Sequence, residues 1–339
     1  MAGRGGVIPI TVSHKINIMK KIILLLSVMI LSTACSKDNY PDLDFKQEMR
    51  DFVIGISEYA RISKPGFIII PQNGIELVTK NGGEDDSLNT AYLSAIDGNG
   101  QEDLFYGYDK DDKATYANDR TYLRNFLDKS KNAGKTILVT DYCSTHSNVD
   151  NSYYQNNSAG FISFAASHRE LDNIPDYPSP IHNVNNSTIT SLSQVKNFLY
   201  LINPQNFTSK TDFINAVTST NYDLLIMDLY FDELTEFSTG EITLLKNKAN
   251  GGKRLVISYM SIGEAENYRY YWQSGWKTGN PSWLDNENRN WEGNYKVWYW
   301  EPGWQDIIFG NDDSYLKKII DAGFDGVYLD IIDAFEYFE

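Results

Sequence analysis

Acidic residues stand at or just beyond the ends of short apolar runs: Asp141, Asp228, Glu264, Glu266, Glu301, Asp330 and Asp333. Two of these runs, RLVISYMSIGEAE (254–266) and FDGVYLDIIDAFEYFE (324–339), bracket all seven tryptophans: Trp272, Trp276, Trp283, Trp291, Trp298, Trp300 and Trp304. Carboxylates beside a dense patch of flat rings suit carbohydrate chemistry. Sugars stack their C–H faces on indoles, and a glycosidic bond is cleaved by one protonated and one ionised carboxyl group. Acids crowded into a low-dielectric cleft acquire diverging pKa values, which supplies that division of labour. Asp228 and Asp330 are the expected central pair, with Glu264 the rival for the acid/base role. Each of them has a structural alternative, capping a helix or pairing with an arginine such as Arg269.

Arg269 follows Glu264 by five residues and Glu266 by three, a spacing that lets it orient Glu266 or meet substrate directly. Gln72, Asn73, Arg169, Asn203 and Tyr259 are polar groups at strand ends suited to sugar hydroxyls, or to holding the groups that contact them, and Asp333 joins this substrate-binding set. Trp272, from a Gly/Asn/Pro-rich loop, and Trp300, which shares a strand face with Trp298, are the indoles assigned to substrate. Core packing is the alternative for Trp298 and Trp300, and buttressing for at least half of Trp272, Trp276, Trp283 and Trp291.

These groups need a frame. Apolar runs at 67–70, 137–143, 161–167, 197–203, 223–230, 254–260, 296–300 and 324–330 read as strands. Amphipathic helices are expected at 46–62, 119–132, 209–219, 238–249 and 312–321. Continuous apolar strands alternating with helices predict a covered parallel sheet, and eight over this length match a (β/α)8 TIM barrel. A doubly wound open sheet is the alternative, although no glycine-rich phosphate loop follows any strand. The acidic segment 97–103 reads as a turn: its acidity resembles a calcium loop, but Tyr108 stands where a chelating glutamate belongs. The last strand has no helix after it and helix 46–62 precedes the first, so that helix is expected to cover the last strand in a circularly permuted barrel.

The 339 residues, 42% hydrophobic and 22% charged, describe a globular chain with a large core. Lys20, Lys21, the apolar run 22–31 and the small residues before Cys35 read as a secretory signal starting at Met19. Ser32 replaces the usual leucine of a lipobox, yet Cys35 is positioned for lipidation and Ser36-Lys37-Asp38 resembles a surface-export tag. The expected layout is a leader at 1–35, a tether at 36–45 and one domain at 46–339, anchored to a bacterial outer membrane. Loss of the leader takes the formal charge from −15 to about −19, which disfavours nucleic acid and anionic lipid surfaces as partners. No Cys/His spacing suggests zinc, no cofactor is expected, and Cys143 reads as a small buried residue. The protein is expected to act as a monomer.

The segments NFLYLINP (197–204), YDLLIMDLYF (222–231), SYMSIGEAENYRYYW (258–272), WEGNYKVWYW (291–300) and GFDGVYLDIIDAFEYF (323–338) resemble the glycoside-hydrolase-like barrel family related to endo-α-1,4-polygalactosaminidases, family 114 and its near relatives. Segments resembling FVIGISEYAR (52–61), PGFIIIPQNG (65–74), LVTDYC (138–143) and GFISFAASHREL (160–171) follow these in the family but precede them here. The resemblance thus implies a permuted barrel over 46–339, with its site at the C-terminal ends of the strands. It also implies a catalytic contribution from Asp141, whose strand supplies an acid in the family, and a substrate such as an amino-sugar polymer. A surface lipoprotein that binds glycan without cleaving it is the alternative function, and a transferase using the same site is a third.

Overall fold

The computed structural model describes residues 40–339. The leader, Met19, Cys35 and residues 36–39 of the tether lie outside them. Helix α1 (Phe45–Ser63) begins at Asp44, whose side chain accepts from the Gln47 amide, and it buries Met49, Phe52, Val53, Ile56 and Ala60 along one face. Strand β1 (Ile68–Pro71), helix α2 (Thr90–Ala95), strand β2 (Gly98–Glu102), helix α3 (Ala117–Asn132) and strand β3 (Thr136–Tyr142) follow. Helix α4 (His146–Ala159) and strand β4 (Ile162–Ala166) precede a long irregular connection, then come β5 (Phe198–Tyr200), α5 (Lys210–Thr218), β6 (Leu224–Met227), α6 (Thr239–Leu245) and β7 (Leu255–Ser261). Three short strands, β8 (Glu264–Glu266), β9 (Leu284–Glu287) and β10 (Asn294–Val297), lead to α7 (Pro302–Ile308), α8 (Tyr315–Ala322) and β11 (Gly326–Asp330). Among the described residues no helix is long and apolar enough to cross a membrane.

The architecture is α/β with parallel sheets. One sheet has the order β1-β11-β7-β6-β5 and a second the order β2-β3-β4, every pairing parallel. The two meet where Asn73 N donates to Gly100 O and Asp97 N to Ile69 O, both at 2.9 Å. At their other edges Phe164 of β4 packs on Phe198 of β5, ring centroids 5.7 Å apart. Inside, the hydroxyl of Tyr200 on β5 donates to Gln72 Oε1 just after β1 at 2.9 Å, so the two edge strands of the five-stranded sheet face each other. Helix α1 packs between α2 and the end of the chain: Ser57 donates to Ala95 O, Phe52 lies 6.0 Å from Phe309, and Phe45 lies 5.6 Å from Phe338.

Several elements differ from the sequence expectation, α2 and α7 being further helices it did not name. The run 296–300 is not a strand of the parallel sheet: β10 pairs antiparallel with β8 and β9 in a separate three-stranded sheet. A five-residue apolar run reads alike in either setting, and pairing partners decide between them. Segment 97–103 is not a turn but contains β2, where a Cβ on Gly98 would come 2.6 Å from Thr136 O and one on Gly100 would collide with the Tyr328 hydroxyl. Glycine is demanded there by close approach, which removes the apolar signature of a strand. Helix α4 was not expected either, since its sequence is mostly polar and its apolar residues are few.

Candidate functional site

The C-terminal ends of β1, β2, β3, β7 and β11 bring one group of polar side chains together. Asp330, at the end of β11, accepts from Tyr259 Oη at 2.7 Å and from Gln72 Nε2 at 3.0 Å. The same Gln72 Nε2 donates to Glu102 Oε2 at 2.8 Å, and Asn73 Nδ2 reaches that oxygen at 3.0 Å. Tyr142 Oη donates to the other oxygen of Glu102. One neutral amide therefore bridges two carboxylates. Burial, then the charge of Glu102, pushes the Asp330 carboxyl up to about 7, with the Tyr259 hydrogen bond opposing the rise. Gln72 and Tyr200 are buried, while Asp330 and Glu102 both retain part of their surface.

Glu264 stands beside this group and its charge contributes to the Asp330 shift. Its own carboxyl is fully buried and raised by that burial, while Tyr337 Oη (2.7 Å), Asn288 Nδ2 (2.7 Å) and Asn294 Nδ2 (3.3 Å) donate to it. The two asparagines come from the β9–β10 region, so the small antiparallel sheet closes over Glu264. Asp333, half-buried on the turn after β11, is raised well above the usual carboxylate range by burial and by Glu336, Asp330 and Glu76. Lys46, Glu76, Tyr122, Phe335, Glu336 and Glu339 line a neighbouring cleft of about 370 Å³.

Asp228 belongs to a different cluster. Arg269 Nη1 and Nη2 hold its two oxygens at 2.9 and 2.7 Å, and Arg269 Nε holds Glu266 Oε2 at 2.6 Å. All three groups are buried, with the guanidinium near the rings of Tyr230, Tyr268 and Tyr315. Burial pushes Asp228 upward and the guanidinium opposes it. A bidentate buried pair of this kind fixes the Asp228 carboxylate, whose Oδ1 also accepts from the Tyr230 amide at 2.8 Å. Asp228 thus makes the arginine contact named as its alternative, while Asp330 lies in the group around Gln72.

Asp141 is also committed elsewhere. It accepts from the Phe105 and Tyr106 amides, from Ser152 Oγ at 2.6 Å and from Asn156 Nδ2 at 3.0 Å, so its carboxylate fastens α4 and the loop after β2 to β3. Arg169 is tied to Asp103 and Asp111 and lies 3.9 Å over the Tyr142 ring. Asn203 donates to Glu170 O within its own loop. Asp325, at the start of β11, pairs with Lys246 at the opposite end of the strand from Asp330. Cys143 is buried, and burial pushes its thiol up.

The tryptophans are largely packed against one another. Trp272, Trp276, Trp283 and Trp304 form a chain with successive centroids 5.2, 5.0 and 5.1 Å apart, ending where Trp304 Nε1 donates to Ile262 O. Trp300 sits between Trp298, Phe45 and Phe338. Trp272 and Trp300 are half-buried, and Trp291, at 51% exposed, is the tryptophan that presents most surface.

Residues 189–339 match the glycoside-hydrolase family GH114. That match takes in somewhat under half of the chain, and over it the chain resembles the family. An uncharacterized protein of Methanocaldococcus jannaschii is 40% identical over 183 residues, 52% of this chain and 49% of its own length. Uncharacterized proteins of Deinococcus radiodurans (42% identical over 123 residues) and Thermotoga maritima (40% over 123) align with 36% of this chain. They are covered over 37% and 36% of their lengths, so this chain spans about half or less of the curated relatives it matches. The GH114 match includes Asp330 and Glu264 but begins after Glu102 and Gln72. Glu102, with Tyr142 and Tyr200, belongs to this group and was not singled out in the sequence reading. The available signal was the Gly-Asn-Gly before Gln101-Glu102, which permits close packing ahead of an acidic strand end.

Proposed function

We propose that the protein is a glycoside hydrolase acting on a polysaccharide, with Asp330 and Glu102 as its reacting carboxyl pair. The observation that carries this is the Gln72 amide held between them. Two oxygens hydrogen-bonded to the two protons of one NH2 group lie about 5 Å apart, the spacing of a retaining pair, in which one carboxylate attacks the sugar and the other protonates the leaving oxygen. Both groups are partly exposed, and burial with the Glu102 charge raises Asp330 to about 7, which suits it to hold or release a proton near neutral pH. Glu264, close by but fully buried and sealed by the β9–β10 region, acts through its charge on Asp330 and not on the sugar. The neighbouring cleft holds Glu76, Glu336 and Glu339 against one cation, Lys46, which pairs with Glu339; the net negative lining supports an amino-sugar polymer as substrate, because protonated amines would complement it.

The pairing of the strands supports the frame expected from sequence: β1 to β7 and β11 close into a (β/α)8 barrel over 46–339, with α1 filling the helix position between β11 and β1, in circularly permuted order. The residues before Cys35 support export and lipid anchoring at the outer membrane. The test is a polysaccharide panel with wild type, Asp330→Asn and Glu102→Gln. Turnover is expected to fall at least about a thousandfold in both variants. Azide should restore one as a glycosyl azide of retained configuration and the other as one of inverted configuration, which separates acid/base from nucleophile. Absence of wild-type turnover on every polymer, with glycan affinity unchanged in both variants, would identify a binding protein instead.

A further inference from the structure

We infer that Gln72 is a positioning residue that holds the Asp330 and Glu102 carboxylates in fixed register, and that Tyr200 fixes the orientation of its amide. This rests on the reading of those two acids as the reacting pair. Gln72 Nε2 faces two carboxylate oxygens, which in their ionised state only accept, at 3.0 and 2.8 Å. Its Oε1 accepts from Tyr200 Oη at 2.9 Å. Reversing the amide would turn its oxygen on both carboxylates and its NH2 on a phenol, so all three contacts select one orientation. Tyr200 is buried, and burial followed by the Asp330 charge pushes its phenol far up, keeping it a neutral donor.

A bridge of this kind does two things. It gives each carboxylate a hydrogen bond without adding a charge, which favours the ionised form of Asp330. It also stands between the acids, so they cannot collapse onto a shared proton. Gln72 itself is 2% exposed, which suits the second of its two expected roles, holding the groups that contact substrate.

The test uses the full chain carrying Gln72→Met, which keeps the volume and removes the donor, and Tyr200→Phe, which keeps the ring and frees the amide. On a polymer that wild type cleaves, Gln72→Met should lower kcat about tenfold or more with KM little changed, and move the acidic limb of kcat/KM up by about one pH unit. Tyr200→Phe should move the limb the same way by less. A raised KM with unmoved limbs would make Gln72 a substrate-binding residue, and lost kcat with unmoved limbs a packing residue; either overturns the inference. If Gln72→Met does not fold, an unmoved limb in Tyr200→Phe alone does so. Carboxyl 13C NMR titration of the substrate-free chain reads the same upward shift if no polymer is cleaved. An unchanged titration refutes the bridge, whereas absent turnover refutes only the hydrolase reading.

Discussion

Asp330 combines three properties that rarely meet in one carboxyl: partial exposure, a neutral phenol donor from Tyr259, and a second acid held across a single amide. Its raised pKa has a consequence for stability. An exposed aspartate titrates near 3.9, whereas burial and Glu102 place this one at about 7, so the native state keeps a proton that the unfolded chain releases. The stabilisation is complete below about 3.9 and is lost as pH rises through about 7. Asp330→Asn stays neutral throughout. Its melting temperature should therefore match wild type near pH 4 and exceed it at pH 8, by the equivalent of up to about 4 kcal/mol. A difference independent of pH would refute the assigned protonation.

Arg269 illustrates the other side at this scale. Spacing alone linked it to Glu266, and the structure retains that contact while adding Asp228. Which of two strand-end acids meets a guanidinium depends on the direction each side chain takes, and sequence parity leaves that open.

At the scale of elements, β2 was the least legible. Gly98, Asn99 and Gly100 carry no apolar stripe because the space above Gly100 belongs to Tyr328 of β11. The Tyr328 hydroxyl is buried without a hydrogen-bond partner among the described residues, so it contributes bulk more than polarity. Gly100→Ala should cost about 1–3 kcal/mol in urea denaturation and Tyr328→Phe should be close to neutral; the ring carbons Cζ and Cε2 would still lie 2.4 and 2.8 Å from the new Cβ, so the double variant should recover only part of the loss. Additive losses would show that the close approach is not what demands glycine. The reverse error occurred at 296–300, where a run with the look of a barrel strand belongs to the sheet that brings Asn288 and Asn294 to Glu264.

For the whole molecule, α1 and the chain's end are joined by packing as well as charge. Lys46 pairs with Glu339, Tyr40 lies 4.9 Å from Phe338, and the Tyr299 hydroxyl donates to Phe45 O at 2.7 Å. A variant in which a short Gly/Ser linker joins residue 339 to residue 40, opened in the irregular connection between β4 and β5, should keep a single cooperative melt and the pH profile of the parent. A broad, non-cooperative transition would contradict the permuted barrel proposed above. The sequence by itself determined the alternation of parallel strands and helices, the amphipathic face of α1, and the placing of Asp330 and Glu264 at strand ends, because periodicity and strand termini are local properties. Only the tertiary structure decided that Glu102 faces Asp330, that Asp228 faces Arg269, and that Asp141 faces α4. Those pairings join residues as far apart as Gln72 and Asp330, 258 positions along the chain, and such proximity arises from how the strands curve round to one another.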